Sequence, residues 1–250
     1  MIRYRRRVLI VAVAACGALF AATPPVRAEQ SACEVPAELS QIDVQLPHLT
    51  ERMRAHQPVS IVAIGGASTI GTAAGSADLA YPHRLQLALA EAFPDLSVSV
   101  VNKGVPRQSA HQMLERFATD VIAEDPVLVV WETGIVDAVR GIEIDDFATA
   151  VQDGLNELKN RSIDMVLVDM QFSRKTTELI DFDKYLSTLH RLGDVNGVYV
   201  FPRYEMMRYW SEQNIFNFDE VAPDERAELA AHVYECLGRR LAGAIRLAVQ

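Results

Sequence analysis

A serine that does covalent chemistry needs an imidazole to take its proton, a carboxylate to orient that imidazole, and donors aimed at the developing oxyanion. The first place to look for one is the segment Val62-Ala63-Ile64-Gly65-Gly66-Ala67-Ser68-Thr69-Ile70-Gly71, where an apolar run stops at two glycines and opens a Gly-x-Ser turn at Ser68. The run over 60–64 predicts a strand buried on both faces. In an open parallel sheet, chemistry sits at the carboxyl ends of such strands. The competing reading of Ser68 is a turn or helix-cap serine, the usual role of a serine after glycines. No histidine is identified as its base.

Other constellations carry less. The glycines from Gly65 to Gly75 lack a following Gly-Lys-Ser/Thr and do not form Gly-x-Gly-x-x-Gly, so a phosphate cradle is not indicated. No His-x-x-x-His or paired-cysteine set points to a metal, and none is expected. Glu143, Asp145 and Asp146 read as a solvated helix start favoured by the helix dipole. Trp131 and Trp210 read as packing residues.

The elements that must position these residues alternate. An arm over 29–58 carries helical segments at 36–46 and 49–55. Strands are expected at 60–64, 96–101, 127–131, 163–168 and 197–201. Helices fall between them at 81–93, after Ser109, at 145–160 and at 182–192, and a long closing helix begins at Pro223. Ser109 can cap the helix whose inner face holds Met113, Leu114, Phe117 and Val121. Five strands alternating with helices predict a parallel sheet covered on both faces, joined by right-handed crossovers.

Three blocks resemble the SGNH/GDSL hydrolase family. Gly65, Thr69 and Gly71 fit its opening pattern Gly-Asp-Ser-x-Thr-x-Gly, but the nucleophile position is Ala67. Trp131-Glu132-Thr133-Gly134-Ile135-Val136-Asp137 resembles Trp-Gln-x-Gly-Thr-Asn-x, with Val136 where the family has an oxyanion-donating asparagine. Asp219-Glu220-Val221-Ala222 occupies the place of Asp-x-x-His, with Ala222 at the general base. Gly104 matches the glycine whose backbone N–H is a further oxyanion donor. Tyr81-Pro82-x-Arg84-Leu85, Phe201-x-Arg203 and Met207-Arg208-x-Trp210 extend the likeness, and Cys236 stands where one subgroup places a cysteine.

The resemblance implies a flavodoxin-like three-layer α/β/α sandwich with a five-stranded parallel sheet. It also implies a degenerate ester pocket built from Ala67, Ser68, Gly104, Val136, Asp219 and Ala222. Losing a triad nucleophile costs on the order of 10⁶ in turnover. The expectation is therefore a pseudohydrolase that binds a small-molecule or carbohydrate ester ligand, or a protein partner, without a cofactor. The alternative is an active esterase or acyltransferase using Ser68 as a shifted nucleophile, with Asp219 in support.

Composition bounds the rest. Arg3, Arg5, Arg6 and Arg7 precede an apolar stretch over 8–22, and Val26-Arg27-Ala28 is an acceptable cleavage site, so 1–28 reads as a signal peptide. A lipid anchor on Cys16 is the alternative; the apolar run is short for a membrane span. Removing 1–28 takes five arginines and no acid, moving the formal charge from -9 to -14. An acidic surface repels phosphate backbones, which argues against nucleic acid. The arm over 29–58 and a single domain over 59–250 then form an exported, monomeric protein, periplasmic or secreted. Cys33 and Cys236 remain, and two cysteines in an exported chain favour a disulfide over two buried thiols.

Overall fold

The computed structural model describes residues 33–218 and 220–250. The predicted signal peptide, Cys16 and Asp219 lie outside them. Five parallel strands form one sheet: β1 Val59–Gly65, β2 Val98–Gly104, β3 Leu128–Glu132, β4 Asp164–Val168 and β5 Tyr199–Phe201. Their order is β2-β1-β3-β4-β5. This is the flavodoxin-like arrangement expected from the sequence, and its strand order reverses between β1 and β3. The crevice at that switch point is where an open α/β sheet receives its ligand.

The helices, in chain order, are α1 Pro47–Arg54, the single turn α2 Ala67–Ile70, α3 Tyr81–Ala92, α4 Ala110–Leu114, α5 Ile135–Arg140, α6 Ile144–Lys159, α7 Arg174–Thr177, α8 Asp183–Asn196, α9 Arg203–Glu212 and α10 Arg226–Ala248. Helices α3 and α10 pack together on one face of the sheet, and α4, α6 and α8 pack in series on the other. Every residue of β3 is buried, as expected of a strand covered on both sides. Trp131 meets Phe117 edge to face with centroids 5.0 Å apart, and Trp210 is fully buried, its indole N–H donating to the Glu34 carbonyl at 3.0 Å. Both are packing residues.

Two local expectations need correction. The helix expected over 36–46 is a single 3-10 turn over Ala37–Ser40 followed by extended chain. A residue before proline is pushed out of the helical region, and Leu46 (φ -112°, ψ 79°) precedes Pro47, where α1 then begins. Conversely, α9 forms after Pro202 where no helix is expected. Ser109 does cap α4: its side chain accepts the Gln112 N–H in a complete capping box.

The arm is fastened at two points, one on the sheet and one on α10. Leu46 and Leu49 are buried, and the Leu49 N–H, at the start of α1, donates to Asp164 at the start of β4 (2.8 Å). At its other end Cys33 is bonded to Cys236 of α10, with Sγ atoms 2.00 Å apart. Among the described residues no helix is long and apolar enough to cross a membrane.

Candidate active site

The turn after β1 is shaped by close approach. A Cβ at Gly65 would stand 2.1 Å from Thr69 Oγ1, and one at Gly104 would stand 2.4 Å from the Ile70 backbone nitrogen. Glycine at both positions lets the turn drop between the ends of β1 and β2. It folds back far enough that Thr69 is fully buried and Ser68 is nearly so, while Ala67 is left exposed.

The Ser68 hydroxyl donates to Gln171 Oε1 at 3.1 Å and touches the Tyr234 phenol. Neither is a base. An amide oxygen cannot take the proton, and burial, with the Glu132 charge acting the same way, pushes the Tyr234 phenol up so that it keeps its own. The Gly104 N–H, which the resemblance assigns to an oxyanion, donates instead to Asn102 Oδ1 at 2.9 Å. The Asn102 amide reaches on to the Thr69 carbonyl at 2.6 Å, so the glycine's donor is spent bracing the turn.

Beyond β1, Val136 is the second residue of α5, half-buried, after Gly134 at φ 97°. Since β1 and β3 are neighbours, the turns holding Ala67 and Val136 leave adjacent strand ends. Ala222 lies exposed in the connection ahead of α10. A cavity of about 220 Å³ opens beside Ser68's partners, lined by Gln171, Tyr234 and Val221 among others; Ala67, Val136 and Ala222 do not line it.

What the site does contain is a buried charged network. Thr69 Oγ1 donates to Glu132 Oε2 at 2.5 Å. With its only proton so used, it accepts from Tyr81 at 3.1 Å. Burial pushes the Tyr81 phenol far up, and Glu132 adds to the effect, so it remains a donor. Arg203 Nη1 stands 3.1 Å from Glu132 Oε1, with only 1% and 2% of the two side chains exposed. Arg203 Nε and Nη2 find no hydrogen-bond partner among the described residues.

A carboxylate–imidazole pair lies further along the sheet. Asp169, fully buried after β4, accepts the Tyr204 N–H at 2.8 Å and meets His190 Nε2 at 3.1 Å. Burial raises the Asp169 carboxyl, and the hydrogen bond to Asp169 raises His190. His190 belongs to α8, on the α6 side of the sheet, whereas Tyr234, which contacts Ser68, belongs to α10 on the opposite side. The imidazole is not joined to the serine.

Sequence reasoning named Ser68 and, from the family resemblance, Ala67, Val136 and Ala222, but missed this network. One signal was available: Glu132 is an acid directly continuing an apolar strand, a position where an unpaired charge cannot remain. Asp137, at the end of the same block, is also buried and accepts the Ala110 N–H with both oxygens (3.2 and 3.1 Å), which places α4 against α5.

The profile of the Non-GDSL lipase-like family matches residues 32–250. No curated protein matches the chain significantly. Similar solved structures include a G-D-S-L family protein from Desulfitobacterium hafniense DCB-2, at 18% identity and TM-score 0.58, covering 74% of this chain and 99% of that one. A variant of an acetyl xylan esterase from Geobacillus stearothermophilus matches at 20% identity and TM-score 0.59, covering 75% and 94%. A two-domain esterase active on acetylated mannans matches at 15% identity and TM-score 0.64, covering 82% of this chain and 55% of the esterase. At these identities the likeness is one of fold.

Proposed function

Since this chain belongs to the Non-GDSL lipase-like family, we propose that it is a non-catalytic member, exported from the cell, that binds a ligand or partner at the carboxyl end of its sheet. The observation that carries this reading is the Ser68 hydroxyl. It is the buried hydroxyl at the nucleophile turn nearest the family's serine position, and it donates to an amide oxygen rather than to an imidazole. Alanine at the nucleophile and base positions and valine at the asparagine position point the same way. His190, which pairs with the buried carboxylate Asp169, is not joined to Ser68. The disulfide suits an oxidising compartment. The esterases with this fold suggest a small ester, an acid or a carbohydrate as ligand.

The test is direct. Purified protein should not turn over short-chain aryl esters, nor should a fluorophosphonate probe label it. Ala67→Ser alone should leave it inert, because a serine hydroxyl without an imidazole is a poor nucleophile. Robust hydrolysis by the unmodified protein, abolished by Ser68→Ala, would overturn this reading and make Ser68 a shifted nucleophile.

A further inference from the structure

The cavity beside Ser68 has a division of chemistry that selects among ligands. Its inner wall is apolar: Phe172, Met207, Leu229 and Val233 line it. Its polar groups include Arg226 and Gln171, both exposed. Among the described residues Arg226 forms no ion pair, and the Gln171 amide N–H₂ has no partner, only its Oε1 being engaged, by Ser68. A pocket with an apolar interior and donors at its mouth fits an amphiphile with an anionic or acceptor head. It suits a sugar less well: beyond Ser173 and Tyr234 the wall offers few partners for a ring of hydroxyls.

We propose that this cavity binds a short-chain fatty carboxylate, with the acyl chain against Phe172, Met207, Leu229 and Val233 and the carboxylate at Arg226 and the Gln171 amide. The occupant is thus the acid half of an ester. The size of the cavity, about 220 Å³, suits a chain no longer than that of octanoate. This deepens the ligand-binding reading above and rests on it.

Calorimetric titration of the intact protein with sodium acetate, butanoate, hexanoate and octanoate, below micelle-forming concentrations, tests the proposal. Affinity should tighten about fourfold per added methylene until the cavity is full. Arg226→Gln, a change at an exposed position, should weaken octanoate roughly fivefold while leaving octanol binding unchanged. Ala230→Trp, which fills the cavity from α10, should abolish binding, with the melting temperature checked to confirm that the variant is folded. A flat chain-length series, no octanoate binding, octanoate bound equally well by folded Ala230→Trp, or mannopentaose bound in preference would each overturn the fatty-acid assignment. Ester turnover by the unmodified protein would instead overturn the non-catalytic reading, leaving the titration to stand by itself.

Discussion

Glu132 and Arg203 are both held out of water, and the cost of that desolvation is repaid only while each faces the other. Thr69 and, through it, Tyr81 extend the carboxylate's contacts to the turn after β1. The place where the family resemblance puts catalytic machinery is thus occupied by groups that bind one another. Removing one partner strands a buried charge. Glu132→Ala should lose about 3–5 kcal/mol of unfolding free energy in urea titration, whereas Glu132→Leu combined with Arg203→Met should lose far less. A double-variant loss equal to the sum of the losses for Glu132→Leu and Arg203→Met measured singly would show that the pair is not coupled. The positions that the family resemblance singles out, Ala67, Val136 and Ala222, can be named from the sequence because each is a single residue within a spaced motif. The ion pair was not, since it joins the end of β3 to the helix after β5, and only the strand order brings those ends near one another.

Strands were the most legible elements. All five were expected close to where they form: β1, β3, β4 and β5 are buried apolar runs bounded by breakers, and the half-buried edge strand β2 opens with its own valine-rich run. Helices depending on context were harder: α9 follows a proline with no apolar periodicity to announce it, and Pro47 holds Leu46 out of the helical region so that α1 starts only at the proline. The pairing of α8 with β4 was likewise invisible. His190 on α8 bonds the buried Asp169 after β4, and the bond raises the imidazole above its ordinary value near 6.5. A raised folded-state value means that the native state holds the proton more tightly. The stabilisation is therefore complete below about pH 6.5 and is lost as pH rises through the elevated value. Unfolding free energy should fall across that window, and His190→Gln should flatten the decline. An unchanged slope in the variant would assign the pH dependence elsewhere.

At the scale of the whole molecule, the arm and α10 are held by more than one kind of bond. The Cys33–Cys236 disulfide is flanked by Arg240, whose guanidinium donates to the Cys33 carbonyl at 2.6 Å and pairs with Glu34 at 2.9 Å. At the C-terminal end of α10 the Leu46 N–H reaches the Ala248 carbonyl at 3.2 Å. In the chain-entropy picture, a cross-link between residues this far apart contributes about 5 kcal/mol by restricting the unfolded chain. Cys33→Ser should then lower the urea midpoint substantially while leaving octanoate affinity within about twofold. The cross-link spans 203 positions, and it turns almost the entire described chain into a covalent ring. A protease that nicks any loop between Cys33 and Cys236 opens the ring without releasing a piece. Limited digestion should therefore leave a single band of nearly full mass on a non-reducing gel, and the same sample should fall into fragments once the thiols are reduced.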